Sequence, residues 1–108
     1  MRDGEPGRRL QAVRRLEAVA HGRVQGVGYR MFVVDAATGL DVVGWVANEA
    51  GGSVRVVAEG PEPRLLELLR ALRDGPVGAR VDRVDERWSG AIGDFERFSV
   101  RSGWHPGD

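Results

Sequence analysis

Neither cysteine nor lysine occurs anywhere in the 108-residue sequence. Without cysteine there are no disulfides, thiol nucleophiles or thiolate metal sites, a composition compatible with a reducing cytosol. Without lysine, Schiff-base chemistry is excluded, and every basic side chain apart from two histidines is arginine. Net charge is missing too. Sixteen basic residues balance sixteen acidic ones, so no global field draws the chain to nucleic acid or to an anionic membrane. Any anion site has to be local. The N-terminus, Met1 to Arg9, lacks the apolar run of a signal peptide, and no stretch approaches the roughly 18 apolar residues of a membrane span. The expectation is a soluble, cytoplasmic protein with no nucleic-acid or membrane partner. Catalytic side chains are few: His21, His105, Ser53, Ser89, Ser99, Ser102, Thr38 and a single tyrosine, Tyr29. An enzyme built from these must rely on positioning and electrostatics.

A chain of this length suits one hydrophobic core and not two. Residues 1–14 are rich in arginine, glycine and proline without periodicity and read as a flexible N-terminal extension. The domain is expected over 15–101, with 102–108 as a C-terminal tail in which Trp104 can dock on the body. Leu16, Ala18 and Ala20 alternate with Glu17, Val19 and His21, which predicts a strand ending at Gly22. From Tyr29 to Leu40 the spacing turns helical, with Tyr29, Phe32, Val33, Ala36, Ala37 and Leu40 on one stripe. Asp41 is expected at the C-terminal cap. Val42 to Asn48 reads as a largely buried strand, turned by Glu49-Ala50-Gly51-Gly52 into a second strand over 53–59, an antiparallel hairpin. Pro63 opens and Gly75-Pro76 closes a second amphipathic helix carrying Leu65, Leu66, Leu68, Leu69 and Leu72.

Residues 80–87 form a polar strand whose Val81 and Val84 lie on different faces by strict alternation, which predicts a bulge or an edge position. Residues 95–101 supply a short last strand. Strand, helix, strand, strand, helix, strand, with a short final strand, is the α+β split βαβ or ferredoxin-like sandwich: an antiparallel sheet with two helices on one face.

The loop Gly22-Arg23-Val24-Gln25-Gly26-Val27-Gly28 connects a strand to a helix. Backbone N–H groups in a first helical turn lack intrahelical partners, so such a junction suits an anion. Gly26 and Gly28 allow close backbone approach, and Arg30, in the first turn, can add bidentate hydrogen bonds to the same oxyanion. Nucleotide motifs do not fit, because a Walker loop needs lysine and a dinucleotide fingerprint needs a later glycine. The bland alternative is a tight turn with a surface arginine. Chain length bears on this. A helix over 29–40 travels about 17 Å at 1.5 Å per residue, and a strand over 42–48 returns about 20 Å. Asn48 therefore finishes near the loop. Its carboxamide can hold a water molecule but is too weakly basic to deprotonate it; equally, asparagine is a common residue at the start of a turn.

Together, Gly22 to Arg30 followed by Gly44-Trp45-Val46-Ala47-Asn48 resembles the acylphosphatase signature. The similarity runs from Leu16 to Arg101, through Gly52-Ser53-Val54, Glu59-Gly60 and Gly75 to Val81. The resemblance implies hydrolysis of the carboxyl–phosphate bond of acyl phosphates to a carboxylate and inorganic phosphate, with no metal, no cofactor and no covalent intermediate. It implies that Arg30 and the backbone of Gln25, Gly26, Val27, Gly28 and Tyr29 bind the phosphoryl group, and that Asn48 orients the water. Three departures stand out: Leu40-Asp41-Val42 where the family usually has Leu-Gly-Leu, Ala50-Gly51-Gly52 in the hairpin turn, and Tyr29 where phenylalanine is commoner.

Two other classes compete on this topology. An RNA-binding module on this topology needs stacking aromatics on its first and third strands, and 16–20 and 53–57 have none. A non-catalytic phosphate- or acyl-phosphate-binding module, or the equivalent part of a larger carbamoyl-phosphate-handling protein, shares the loop; retention of both Arg30 and Asn48 favours the enzyme. His21 is expected to be structural or solvent-facing, His105 incidental and Trp45 part of the core or helix-packing surface. A monomer is expected.

Overall fold

The computed structural model describes residues 12–102. The expectations for Trp104, His105 and residues 1–11 lie outside these. Five strands and two helices follow one another as β1 (Val13–Arg23), α1 (Tyr29–Gly39), β2 (Val43–Asn48), β3 (Val54–Pro61), α2 (Glu62–Asp74), β4 (Arg80–Gly90) and β5 (Phe98–Val100). The strands form one sheet in the order β4-β1-β3-β2-β5. The expected α+β ferredoxin-like arrangement is present, and alternation sorts the side chains. Leu16, Ala18 and Ala20 of β1, Val54, Val56 and Ala58 of β3, and Val46 of β2 join Tyr29, Val33 and Ala37 of α1 and Leu65, Leu68, Leu69 and Leu72 of α2 in one buried core. Leu66, expected with the other leucines of α2, is left facing solvent.

Both helices end as their sequences dictate. Asp41 takes the left-handed conformation at φ 58°, and the N–H groups of Asp41 and Val42 return to the carbonyls of Thr38 and Ala37 at 3.1 Å each. This is a Schellman closure with aspartate in the position that usually calls for glycine. α2 carries proline in its first turn and stops before Gly75, at φ 68°.

Three expectations change. β1 begins at Val13, inside the stretch read as extension, because a backbone ladder needs no apolar alternation: Val13, Arg14 and Arg15 pair with Pro61, Gly60 and Glu59. The sheet is mixed and not wholly antiparallel, since β5 runs parallel to β2. The reason is the path of the chain. β4 ends opposite Arg14, at the start of β1, and β5 begins opposite Gly44, near the start of β2. A chain that leaves one edge and enters the other at the same end of the sheet must run against β4, and hence along β2. Trp45 is the third change: it pairs with Val57 on the face without helices, where the Arg101 guanidinium lies 4.6 Å from its ring centre.

The parity conflict in β4 is resolved by a bulge. The register slips between His21 and Gly22, which oppose Arg83 and Val81, leaving Asp82 as the extra residue. Val81 and Val84 thereby both pack on the core. The segment between β4 and β5 is secured by Glu59, 2% exposed, whose carboxylate accepts hydrogen bonds from the N–H groups of Ile92 (2.9 Å) and Gly93 (3.0 Å). Arg15, its neighbour across the ladder, lies 3.6 Å from the same carboxylate.

Candidate active site

β1 delivers the chain to its loop, and the loop opens α1. Gly26 and Gly28 both have positive φ, 76° and 79°, and an added Cβ at either would meet no atom within 4 Å. What these positions require is therefore conformation, not room. Gly28 is the N-cap of α1 and, being glycine, offers no side chain to cap it; the first turn also contains no acidic residue. Ordinary helices fill this position with Ser, Thr, Asp or Asn. A helix end of this kind, with no capping side chain and no acid in its first turn, favours an anion at its N–H groups.

Arg30 is the second residue of α1, and Asn48 the last of β2. Asn48 is opposite Val54 in the final rung of the hairpin ladder and so lies on the helix side of the sheet, at the end where β1 stops. Both residues line one cavity of about 100 Å³, together with Val24, Gly26, Gly28, Tyr29 and Met31. Of the residues expected around a phosphoryl group, Gly26, Gly28, Tyr29 and Arg30 are brought together with Asn48. Gln25 and Val27 do not line the cavity. Val27 packs against the core, and the Gln25 side chain is turned to the hairpin. Val24, 1% exposed, and Met31, 57% exposed, are cavity residues that the sequence reading did not single out.

The Gln25 carboxamide donates from Nε2 to the carbonyl of Glu49 (2.8 Å) and to that of Ser53 (2.9 Å). Because both partners are acceptors, the NH₂ end must face them. Glu49 in turn accepts from Ser53 Oγ at 2.8 Å and from Arg55 Nε at 2.5 Å. Partial burial pushes the Glu49 carboxyl up, but the Arg55 and Ser53 hydrogen bonds and the Arg55 and His21 charges outweigh it and hold it below the usual range. No motif marks this network. Its only trace in the sequence is that polar residues recur where a hairpin turn meets a glycine loop.

Tyr29 is 1% exposed, and burial pushes its phenol well above the ordinary range, so it is a neutral hydrogen-bond donor. His21 is hydrogen-bonded through Nε2 to Asp85 at 2.9 Å on the helix-free face. That bond is the leading cause holding the Asp85 carboxyl below its usual value. A wider hollow, about 540 Å³, lies on the helix-free side around Trp45, Phe95, Arg97 and Arg101, away from the glycine loop and from Asn48. Among the described residues, no group of three or more His, Cys, Asp or Glu side chains could hold a metal ion, and no helix is long and apolar enough to cross a membrane.

Comparison with known proteins agrees with this geometry. The acylphosphatase family profile matches residues 16–100. An acylphosphatase of Salinibacter ruber is 52% identical over 88 residues, covering 82% of this chain and 93% of its relative. One from Rhodococcus jostii is 45% identical over 87 residues, covering 81% and 98%. The crystal structure of acylphosphatase from Bacillus subtilis superposes with a TM-score of 0.79 at 34% identity, covering 82% of this chain and 98% of that one. Loop, arginine and asparagine all fall inside a match that runs from the first strand to the last, and on this ground the chain belongs to the acylphosphatase family.

Proposed function

We propose that this hydrolase of acyl phosphates holds the phosphoryl group in the cavity between the glycine loop and Asn48. The loop N–H groups and Arg30 bind its oxygens, and Asn48 orients the attacking water. The observation that carries this reading is the uncapped, acid-free N-terminus of α1 facing a cavity that Arg30 and Asn48 share. An acyl phosphate has a carboxylate leaving group, so little acid catalysis is needed. The task is to stabilise charge on the equatorial oxygens and hold water in line. Asn48 can accept from and donate to that water, yet it cannot take its proton. The proton goes to a phosphoryl oxygen of the substrate itself. Water forms the new P–O bond as the bond to the acyl oxygen breaks, giving a carboxylate and inorganic phosphate. Both side chains come from one protomer, which fits a monomeric enzyme.

Benzoyl phosphate hydrolysis, paired with titration of inorganic phosphate, tests the assignment. Arg30→Ala should abolish turnover and greatly weaken phosphate binding; near-wild-type hydrolysis by this variant would falsify the role of Arg30. Asn48→Ala should bind phosphate as before while losing most of the turnover. Lost phosphate affinity in that variant would make Asn48 a ligand contact instead of a water holder. Phosphate binding by the wild type without any turnover would identify a non-catalytic binding module.

A further inference from the structure

Asn48 sits at the end of a hairpin, and the cradle it must face sits on a separate loop. The β1–β3 ladder ends at the Ala20–Val54 rung, so beyond it the loop has no ladder partner on the hairpin. The residue that bridges them is Gln25. Its one amide nitrogen reaches the carbonyls of Glu49 and Ser53, which are the residue after Asn48 and the residue before Val54, and Asn48 and Val54 are partners in the last rung of the ladder. A single NH₂ group thus grips both strands of the hairpin immediately beyond the rung that carries Asn48.

We propose that Gln25 is a positioning residue for hydrolysis: its side chain fixes the phosphate loop to the Asn48 rung and so sets where the water held by Asn48 lies relative to the bound phosphoryl group. This rests on the roles assigned above to Arg30 and Asn48. The hairpin itself does not depend on Gln25, because each of the two carbonyls also has a backbone partner: Glu49 N–H donates to Ser53 at 2.9 Å, and Gly52 N–H to Glu49 at 3.1 Å. Removing the amide therefore leaves no carbonyl wholly unsatisfied, and the fold should survive. What is lost is the alignment of two segments, each intact. Misplacement of a reacting group by about 1 Å can cost about 100-fold in rate.

The test is Gln25→Met, similar in length and without donors. Expected are a kcat for benzoyl phosphate lowered about 10–100-fold, a dissociation constant for inorganic phosphate within about threefold of wild type, and near-wild-type thermal stability. The decisive measurement is the double variant with Asn48→Ala. If Gln25 acts through Asn48, its removal costs little further once Asn48 is gone, a non-additivity expected only of coupled groups. An unchanged kcat in Gln25→Met, an equal further loss in the double variant, or phosphate affinity falling in parallel with kcat would each overturn the proposal. Should Gln25→Met fail to fold, Gln25→Asn, which keeps the donors and shortens the reach, carries the same measurements; failure of both to fold would make Gln25 a structural residue and end the idea. If Asn48→Ala alone hydrolysed benzoyl phosphate at the wild-type rate, the role of Asn48 would fail first, and that outcome is distinct from all of these.

Discussion

The hydroxyl of Tyr29 donates a 2.8 Å hydrogen bond to the carbonyl of Leu72, tying the first residue of one helix to the last turn of the other. That carbonyl is one of the four that a helix leaves unsatisfied at its C-terminus. Gly75 N–H answers its neighbour, the carbonyl of Ala71, at 2.9 Å, and a Cβ on Gly75 would come within 3.6 Å of the Tyr29 ring. Tyr29 thus closes α2 from beneath the glycine loop.

Tyr29→Phe should keep the ring in place and leave the Leu72 carbonyl buried without this donor, destabilising the protein by about 1–3 kcal/mol. Urea unfolding reads this directly. Turnover of benzoyl phosphate should change little, since the phenol points away from the loop and toward α2.

Arg30→Lys keeps the positive charge and removes the planar fork. A single ammonium cannot reproduce two parallel hydrogen bonds to phosphoryl oxygens. Expected is a loss of roughly tenfold or more in kcat/KM, set against the 10²–10³ that removing one oxyanion donor typically costs. Steady-state kinetics of this variant at constant ionic strength provides the comparison; parity with wild type would show that charge alone suffices.

Two glycines separate conformation from room. At Gly28 a methyl group meets nothing, so Gly28→Ala should fold with a penalty of about 1–2 kcal/mol for the left-handed backbone, and should weaken phosphate binding because the cradle shifts. At Gly44 the same methyl would collide with the Val57 carbonyl oxygen and lie 2.9 Å from Ala58 Cα, all rigid ladder backbone. Gly44→Ala should be far more destabilised, which thermal unfolding of the two variants side by side will show.

Glu49 makes the hairpin sensitive to acid. Its folded-state pKa lies below the ordinary 4.5, so the charge contributes stability above that value, and the contribution is lost as pH falls through the lowered folded-state value. Glu49→Gln should be less stable than wild type at pH 7, and the gap should narrow from about pH 4.5 downward. Asp85 titrates in both proteins and cancels in the difference. Urea midpoints at pH 7, 5 and 3 suffice, and a gap that widened in acid would refute the sign.

Much of this was legible in the residues. Turn glycines and two apolar periods announced the order of elements. The distances travelled by helix and strand are enough to bring Asn48 to the loop. Asp41 was recognisable as a cap because aspartate tolerates the left-handed region. What escaped was set by long-range geometry. Alternation puts Arg15 and Glu59 on a solvent face, yet the 91–97 segment crosses there and buries the carboxylate, and three residues of β5 are too short to announce their direction. Gln25 was legible as a loop residue, but whether its side chain met a ligand or a hairpin depended on carbonyls 24 and 28 residues away.

The glycine cap of α1 has a consequence beyond catalysis. A helix whose cap residue is glycine gains from an anion at its first turn, so phosphate held in the loop as proposed above is also a folding ligand. Mass action sets the size of the effect: at a hundred times its dissociation constant, phosphate adds about 2.7 kcal/mol to the stability of the whole domain. Occupied protein should melt later and resist proteases longer than empty protein, and a thermal-shift series in phosphate becomes a binding isotherm that requires no turnover at all.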